Sequence, residues 1–267
     1  MVVDFHVHCF ANELAERAVP ALAEKAGISP RSDGTVGGIR ASMKKAGVDR
    51  SVVLSIATKP QQTQKISQWA LSVQAEDIIP FGSIHPDYPD WAEELEGLKK
   101  SGIKGIKFHP EYQDFYVDDP KLLPIYKKAA ELGLIMVFHA GADLGYQPPY
   151  HCTPDRMRTV VRALPGAVIV AAHMGGYSYW DEVERYLVGE PLYLDTSFSF
   201  PEMSREQFLR IVAAHGFERL LFATDSPWKD QAEELVWLRE MDLPETALRA
   251  ILGGNAAKLL GLTCGPI

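Results

Sequence analysis

Eight short, almost wholly apolar runs recur along this chain, each followed by a longer segment with helical spacing. That alternation restricts the fold to a mainly parallel α/β architecture. The runs span 1–7, 51–56, 78–84, 103–108, 134–138, 167–172, 192–196 and 220–224. They show little polar alternation, as parallel strands buried on both faces require. Between them, residues 36–46 stop at Gly47, a glycine terminator. Ile66, Trp69, Ala70 and Val73 recur at helical spacing within 61–74, and Trp91, Leu95 and Leu98 do so within 90–100. Residues 120–132 end before Gly133, and 153–164 open on Thr153-Pro154, a cap followed by a favoured first helical residue. Segments 179–187, 204–215, 230–241, 245–252 and 255–260 complete the series. Eight strand–helix units form either a closed barrel or a large open sheet, and the fold expected here is a single-domain (β/α)8 TIM barrel over 1–267.

With 267 residues, 46% of them hydrophobic, the chain can bury one large core. The net charge is −8 and the 27 Lys and Arg residues are scattered, so no nucleic-acid partner is expected. Cys9, Cys152 and Cys264 lack pairwise spacing and read as reduced thiols of a cytoplasmic protein. No apolar run reaches the roughly 18 residues of a membrane span. Asp4 and two histidines interrupt the N-terminus, against a signal peptide. The longest connection, 10–38, carries a helical piece at 13–26 and a Gly-rich stretch at 32–38, and is expected to form a lid or loop insertion after the first strand.

In a parallel barrel the C-terminal strand ends converge on one face. The polar residues at those ends are Asp4, His6 and His8, then His85, Lys107, His109, His139, His173 and Asp225. His6 and His8 are two apart, so both point to one face of their strand, and Lys107 and His109 repeat that relation. Imidazoles and carboxylates suit Zn²⁺ and other first-row divalent ions, Mn²⁺ among them. His6, His8, His139 and Asp225 can supply one ion from strands 1, 5 and 8, and strands 1 and 8 are neighbours once the barrel closes. Lys107, His109, Tyr112, Trp228 and Arg40 are the candidates for substrate contact. Arg17 and Arg31 are further candidates to hold a carboxylate. His85 reads as a loop brace, and Cys9 lacks the base and lowered pKa that a nucleophile needs.

The segments "DFHVH", "FHAG", "AAHMGG", "FATDSPW" and "ILGGNAAKLLGL", with "AGVDRSVVL" and "GIKGIKFHP", resemble the amidohydrolase superfamily. The resemblance is to the amidohydrolase 2 branch, which contains aminocarboxymuconate-semialdehyde decarboxylase, resorcylate decarboxylases and related lactone hydrolases. It implies His6, His8, His139 and Asp225 as metal ligands and His173 as the group that orients or protonates the substrate or polarises its carbonyl. It also implies Asp225 as the base for the attacking water's proton. One ion is favoured over two; the alternative is a second ion held by Lys107, carboxylated, or by Glu111. The expected activity is hydrolysis of a small carboxylated or cyclic ester or amide. The alternative is non-oxidative decarboxylation or hydration of a small carboxylic acid. A TatD-like deoxyribonuclease is less favoured, since that group carries a strand-4 glutamate in a motif different from "GIKFHPE", and so is an inactive metal-binding barrel. The expected partner is a small-molecule substrate, with no membrane, and a homodimer is the alternative to a monomer.

Overall fold

The computed structural model describes residues 1–263; Cys264 lies outside the described residues. In chain order the elements are β1 (Val3–Val7), α1 (Asn12–Ala26), α2 (Val36–Ala46), β2 (Arg50–Leu54), α3 (Thr63–Val73), β3 (Ile78–Phe81), α4 (Trp91–Lys100), β4 (Gly105–Phe108) and α5 (Pro110–Gln113). There follow α6 (Leu123–Glu131), β5 (Ile135–Phe138), α7 (Pro154–Ala163), β6 (Ile169–Ala171), α8 (Trp180–Tyr186), β7 (Tyr193–Asp195), α9 (Arg205–His215), β8 (Leu220–Leu221), α10 (Gln231–Arg239), α11 (Glu245–Arg249) and α12 (Asn255–Leu260).

All neighbouring strands are parallel, in two ladders, β1-β2-β3 and β4-β5-β6-β7-β8. Two seams of isolated bridges, Gly82 with Ile106 and Val7 with Ser226, join them. At the first, Gly82 N donates to Gly105 O at 2.9 Å and Lys107 N to Gly82 O at 2.8 Å. At the second, Phe5 N donates to Phe222 O at 2.9 Å, Asp225 N to His6 O at 2.8 Å and His8 N to Ser226 O at 2.6 Å. The ring therefore closes, and the expected TIM barrel is the fold observed. No helix among the described residues is long and apolar enough to cross a membrane.

Alternate strand residues fill the barrel. Phe5 and Phe81 meet edge-on with ring centroids 5.9 Å apart, among Val52, Leu54, Val137 and Leu221. Gly105 makes room for them: a Cβ there would lie 2.3 Å from the Phe81 ring and 2.5 Å from Ile135 O. Ala256 and Leu260 of α12 belong to the same cluster and close the end where the strands begin. The other faces of the strands pack against the helices in a second, larger cluster.

β1 carries an irregularity that matters for the site. Asp4 pairs with Ser51 and Val7 with Val53, so β1 spends three steps where β2 spends two. Such an extra residue re-aims side chains locally. Asp4, between the inward-facing Val3 and Phe5, points out of the barrel, accepting from Thr224 N at 3.0 Å, Thr224 Oγ1 at 2.6 Å and Gln231 Nε2 at 2.7 Å, and the extra residue after it brings His6 onto the other face. His6 and His8 stay at the mouth.

Behind Asp4, α10 buries two polar side chains, Gln231 and Glu234, whose Oε1 and Oε2 atoms have no hydrogen-bond partner. Burial lifts the Glu234 carboxyl to about 8, with Lys229 opposing and Glu202 and Asp4 reinforcing the rise. The folded state thus favours the protonated acid. Its contribution to stability is complete below the ordinary carboxyl value of 4.5 and is lost as the pH climbs through about 8. Glu234→Gln should flatten that decline, leaving the variant a few degrees (~2–4 °C) more heat-stable than the parent above pH 8. Thermal unfolding across the pH range checks this, and parallel curves for the two proteins would contradict it.

Candidate metal centre

Three acceptor atoms converge at the barrel mouth. His6 Nε2 and His8 Nε2 lie 3.2 Å apart, and Asp225 Oδ1 is 3.2 Å from the first and 3.0 Å from the second. The partners of the opposite ring nitrogens fix the tautomers. His8 Nδ1 is 2.7 Å from Leu54 O, a carbonyl that can only accept, so Nδ1 carries the proton. His6 Nδ1 is 3.0 Å from Asp195 Oδ2 and donates to that carboxylate. Burial, reinforced by Lys107, holds His6 well below the ordinary imidazole value, so it is neutral. His6 Nε2 therefore presents a lone pair, as does His8 Nε2 in the neutral ring. Asp225 Oδ1 is buried without a hydrogen-bond partner despite its close neighbours. Burial pushes the Asp225 carboxyl up, and positive charge facing it, on His6 and His8 when protonated, brings it down to about 2; with neutral rings that charge has to come from a cation. Two lone pairs and an ionised carboxylate at such separations repel one another unless a cation lies between them. The residues present fit a divalent ion.

Behind the trio stands a buried polar layer. Asp195 Oδ1 accepts from His173 N at 3.0 Å, from Ser197 N at 3.1 Å and from Ser197 Oγ. Ser197 Oγ also lies 3.1 Å from His6 Nδ1 and 3.0 Å from His173 Nδ1. Neither Asp195 nor Ser197 was singled out by the sequence analysis. The available signal was their spacing of two at the end of β7, the same relation as His6 to His8. Lys107 is fully buried with Nζ 3.3 Å from His6 Nε2. Burial lowers it to about 8, against the pull of Asp195 and Asp225.

His173 and His139 form the next pair. His173 Nδ1 donates to Ser197 O at 3.0 Å, leaving Nε2 to face His139 Nδ1 at 3.0 Å. Burial holds His139 well below the ordinary imidazole value, and its Nε2 is buried without a partner. His173, Met174 and Asp225 have φ of 60°, 54° and 68°, left-handed values that cost a non-glycine residue about 1–3 kcal/mol each. The turn at His173 has a geometric consequence. Val170 faces the barrel interior, so strict alternation would point His173 outward.

A second group, His109, His139 and Asp143, also brings ligand atoms within 4.8 Å of one another. Its chemistry differs. His109 Nδ1 accepts from Tyr112 N at 3.4 Å, so the His109 proton sits on Nε2, 3.4 Å from Asp143 Oδ2. That nitrogen is a donor to Asp143 rather than a free ligand. His109 is also sandwiched between Tyr112 and His139, with centroids at 3.8 and 4.2 Å.

The mouth opens into a cavity of about 650 Å³ lined by His8, Lys107, His139, His173 and Asp225 at its floor. His109, Tyr112 and Trp228 line it too, as does Tyr177. Arg40 does not: its Nε and Nη2 lie 2.7 and 2.9 Å from the Asp77 carboxylate on the surface. Arg31 pairs with Glu233 at 3.4 Å, and Arg17 is exposed on α1. His85 Nδ1 accepts from Asp87 N at 3.1 Å and braces its loop. Glu111 accepts from His151 N at 2.7 Å and stays outside the cavity lining. Cys9 borders the cavity, but burial pushes its thiol up to about 12. The 10–38 connection places α1 over the opening, with Leu14, Ala18 and Leu22 facing in.

A parallel barrel with a His-x-His pair, further strand-end histidines and a carboxylate from the last strand defines a metal-site class of hydrolases and lyases. The family model described as amidohydrolase matches residues 3–262, so the chain belongs to that family, as its motifs implied, and is an enzyme of hydrolase or lyase type. No functionally curated protein is similar enough in sequence to match. Among solved structures, the chain is similar to 5-carboxyvanillate decarboxylase from Sphingomonas paucimobilis, with 17% identity, 98% and 99% of the two chains covered and a TM-score of 0.71. It is similar to 5-carboxyvanillate decarboxylase from Novosphingobium aromaticivorans with bound manganese, with 16% identity, 98% and 97% covered and a TM-score of 0.75. A Pseudomonas putida protein proposed to be a 2-pyrone-4,6-dicarboxylic acid hydrolase gives 16% identity, 99% and 98% covered and a TM-score of 0.70.

Asp195 orients His6 and the His173 backbone without touching the cavity, and partners of this kind tune ligand affinity. Asp195→Asn should weaken Zn²⁺ or Mn²⁺ binding by about 10–100-fold. Calorimetric titration of the folded variant measures this, and an affinity equal to the parent's would remove Asp195 from that role.

Proposed function

We propose that this chain is a metal-dependent hydrolase that directs water at the carbonyl of a small ester or amide, open or cyclic. The observation that supports it best is the convergence of His6 Nε2, His8 Nε2 and Asp225 Oδ1, of which His8 and Asp225 line a cavity sized for a small molecule and His6 is buried beside them. His139, whose Nε2 is unpartnered and groups in this structure with His109 and Asp143, is proposed as the fourth ligand. Zn²⁺ and Mn²⁺ both suit this donor set, and manganese accompanies the Novosphingobium enzyme. One ion is favoured. His109 Nε2 carries its proton toward Asp143, and Glu111 is held by His151 outside the cavity lining.

A divalent ion at this place lowers the pKa of a bound water from ~15.7 towards ~7 and polarises a carbonyl. Asp225, kept ionised, accepts the proton released by the attacking water and passes it towards the leaving group. His173, tied to Ser197 through Nδ1, would exchange its Nε2 contact with His139 Nδ1 for a hydrogen bond donated to the developing oxyanion. Lys107 is the buried cation that can meet a single substrate carboxylate or carbonyl. An ionised Asp225 is equipped to take a proton from water, whereas decarboxylation asks for an acid that delivers one to carbon. On that ground we propose hydrolysis first.

The second reading is non-oxidative decarboxylation. It is supported by the decarboxylases among the similar structures and by the largely apolar cavity wall, where a carboxylate turning into neutral CO₂ sheds an unfavourable charge. Incubation of the Zn²⁺- or Mn²⁺-loaded enzyme with lactones, esters, amides and aromatic carboxylates in ¹⁸O-water separates the two. One ¹⁸O in the product acid supports hydrolysis; CO₂ release with a proton gained at carbon overturns it in favour of the lyase reading. His173→Asn should lower turnover by about 10²–10³-fold while keeping most of the metal. Complete metal loss in that variant would instead make His173 a ligand.

A further inference from the structure

We infer that the outer part of the cavity is a built subsite for an apolar substrate body, so that the substrate is a neutral or singly charged molecule with a small reacting head and an alkyl or aryl remainder. This rests on the proposed metal site and names the class of molecule that the site takes.

The first observation is helix α1. A surface helix ordinarily turns one apolar stripe to the core and a polar face to water. α1 buries Ala15, Val19 and Ala23 against the body of the protein. It then presents a second apolar stripe, Leu14, Ala18 and Leu22, to the cavity rather than to a packed neighbour. Leu14 is left 47% exposed. Further apolar lining comes from Ile66 and Trp69 of α3, beside Gln62 and Lys65, from Phe198 after β7 and from Trp228 after β8. α1 is also held in place at its far end, where Lys25 Nζ sits 3.6 Å from the centre of the Tyr146 ring.

The second observation is where charge is found. The ionisable groups gather at the floor, with Asp225, His173 and Lys107 beside Asp143, and Ser55 Oγ nearby is buried without a partner. Among the described residues no arginine lines the cavity, and the one cation away from the floor, Lys65, is exposed. A second carboxylate on the substrate would therefore lie against Leu, Ile and Trp side chains without a buried partner, which is costly. An apolar body would instead bury the α1 stripe and the α3 wall together, and each buried methylene strengthens binding.

The test uses the Zn²⁺-loaded full chain and alkyl hydroxamates, whose head group binds metal, from acetohydroxamate to octanohydroxamate. The affinity should rise about three- to fourfold per methylene until the tail outgrows the cavity. Suberic monohydroxamate, the octanohydroxamate analogue with a carboxylate at the tail, should bind at least ~10-fold more weakly than octanohydroxamate. Leu22→Asn on one wall and Ile66→Asn on the other should each flatten the gradient and leave acetohydroxamate affinity unchanged; if one fails to fold, the other carries the test. Equal affinities along the series, with acetohydroxamate bound, overturn the subsite alone. A carboxylate tail that tightens binding overturns it as well. No binding of any hydroxamate overturns the metal-site reading and the subsite with it.

Discussion

The whole site hangs on one backbone hydrogen bond, from Asp225 N to His6 O at 2.8 Å. It joins residues 219 positions apart in the chain and lies in the seam that closes the barrel. The residues it links are themselves the two that set an imidazole and a carboxylate face to face. Closure of the ring and assembly of the ligand set are therefore one event. An open sheet built from the same eight strands would leave His6 and His8 on one edge and Asp225 on the other. The bulge in β1 serves the same seam: it sets His6 on a different face from Asp4, which lies outward against Thr224 and Gln231 while His6 and His8 remain at the mouth.

Once closed, the barrel imposes its chemistry through desolvation. His6, His139 and His109 are held neutral first by burial. A neutral imidazole has one proton, so each ring must choose which nitrogen donates. Leu54 O and Asp195 make that choice for His8 and His6, and Ser197 O makes it for His173, which in turn sets His139. The outcome is that His6 Nε2 and His8 Nε2 meet beside Asp225, while His139 groups with His109 and Asp143 and the His109 proton points at Asp143. The left-handed residues at His173 and Asp225 are local strain tolerated because the closed barrel overdetermines their positions.

Much of this was legible in the chain before any coordinates. All eight strands and the helices 36–46 and 255–260 follow from period and punctuation, and the ligand candidates follow from histidines and an aspartate at strand ends. Strand lengths were less legible. The apolar run 220–224 is regular only over Leu220–Leu221, because the residues after it reach across the irregular seam to β1. The bulge is invisible in sequence because it exists only in the pairing of β1 with β2. Asp195 escaped notice because Asp-Thr-Ser after a strand reads equally well as turn chemistry. Arg40 looked like a free cation, but its partner Asp77 is 37 residues away, a distance at which sequence pairing carries no signal. The double apolar stripe of α1 hid within a segment whose helical character was plain and whose cavity-facing side was not.

The central claim is that lone pairs set by buried hydrogen bonds make one cation site at the barrel mouth. Anomalous diffraction at the zinc edge from crystals of the Zn²⁺-loaded protein tests it most directly. The account predicts a single strong peak bonded to His6 Nε2, His8 Nε2, His139 Nε2 and Asp225, with metal–nitrogen distances of about 2.0–2.1 Å. A peak held instead by His109, His139 and Asp143, or no ordered ion at the mouth, would contradict it.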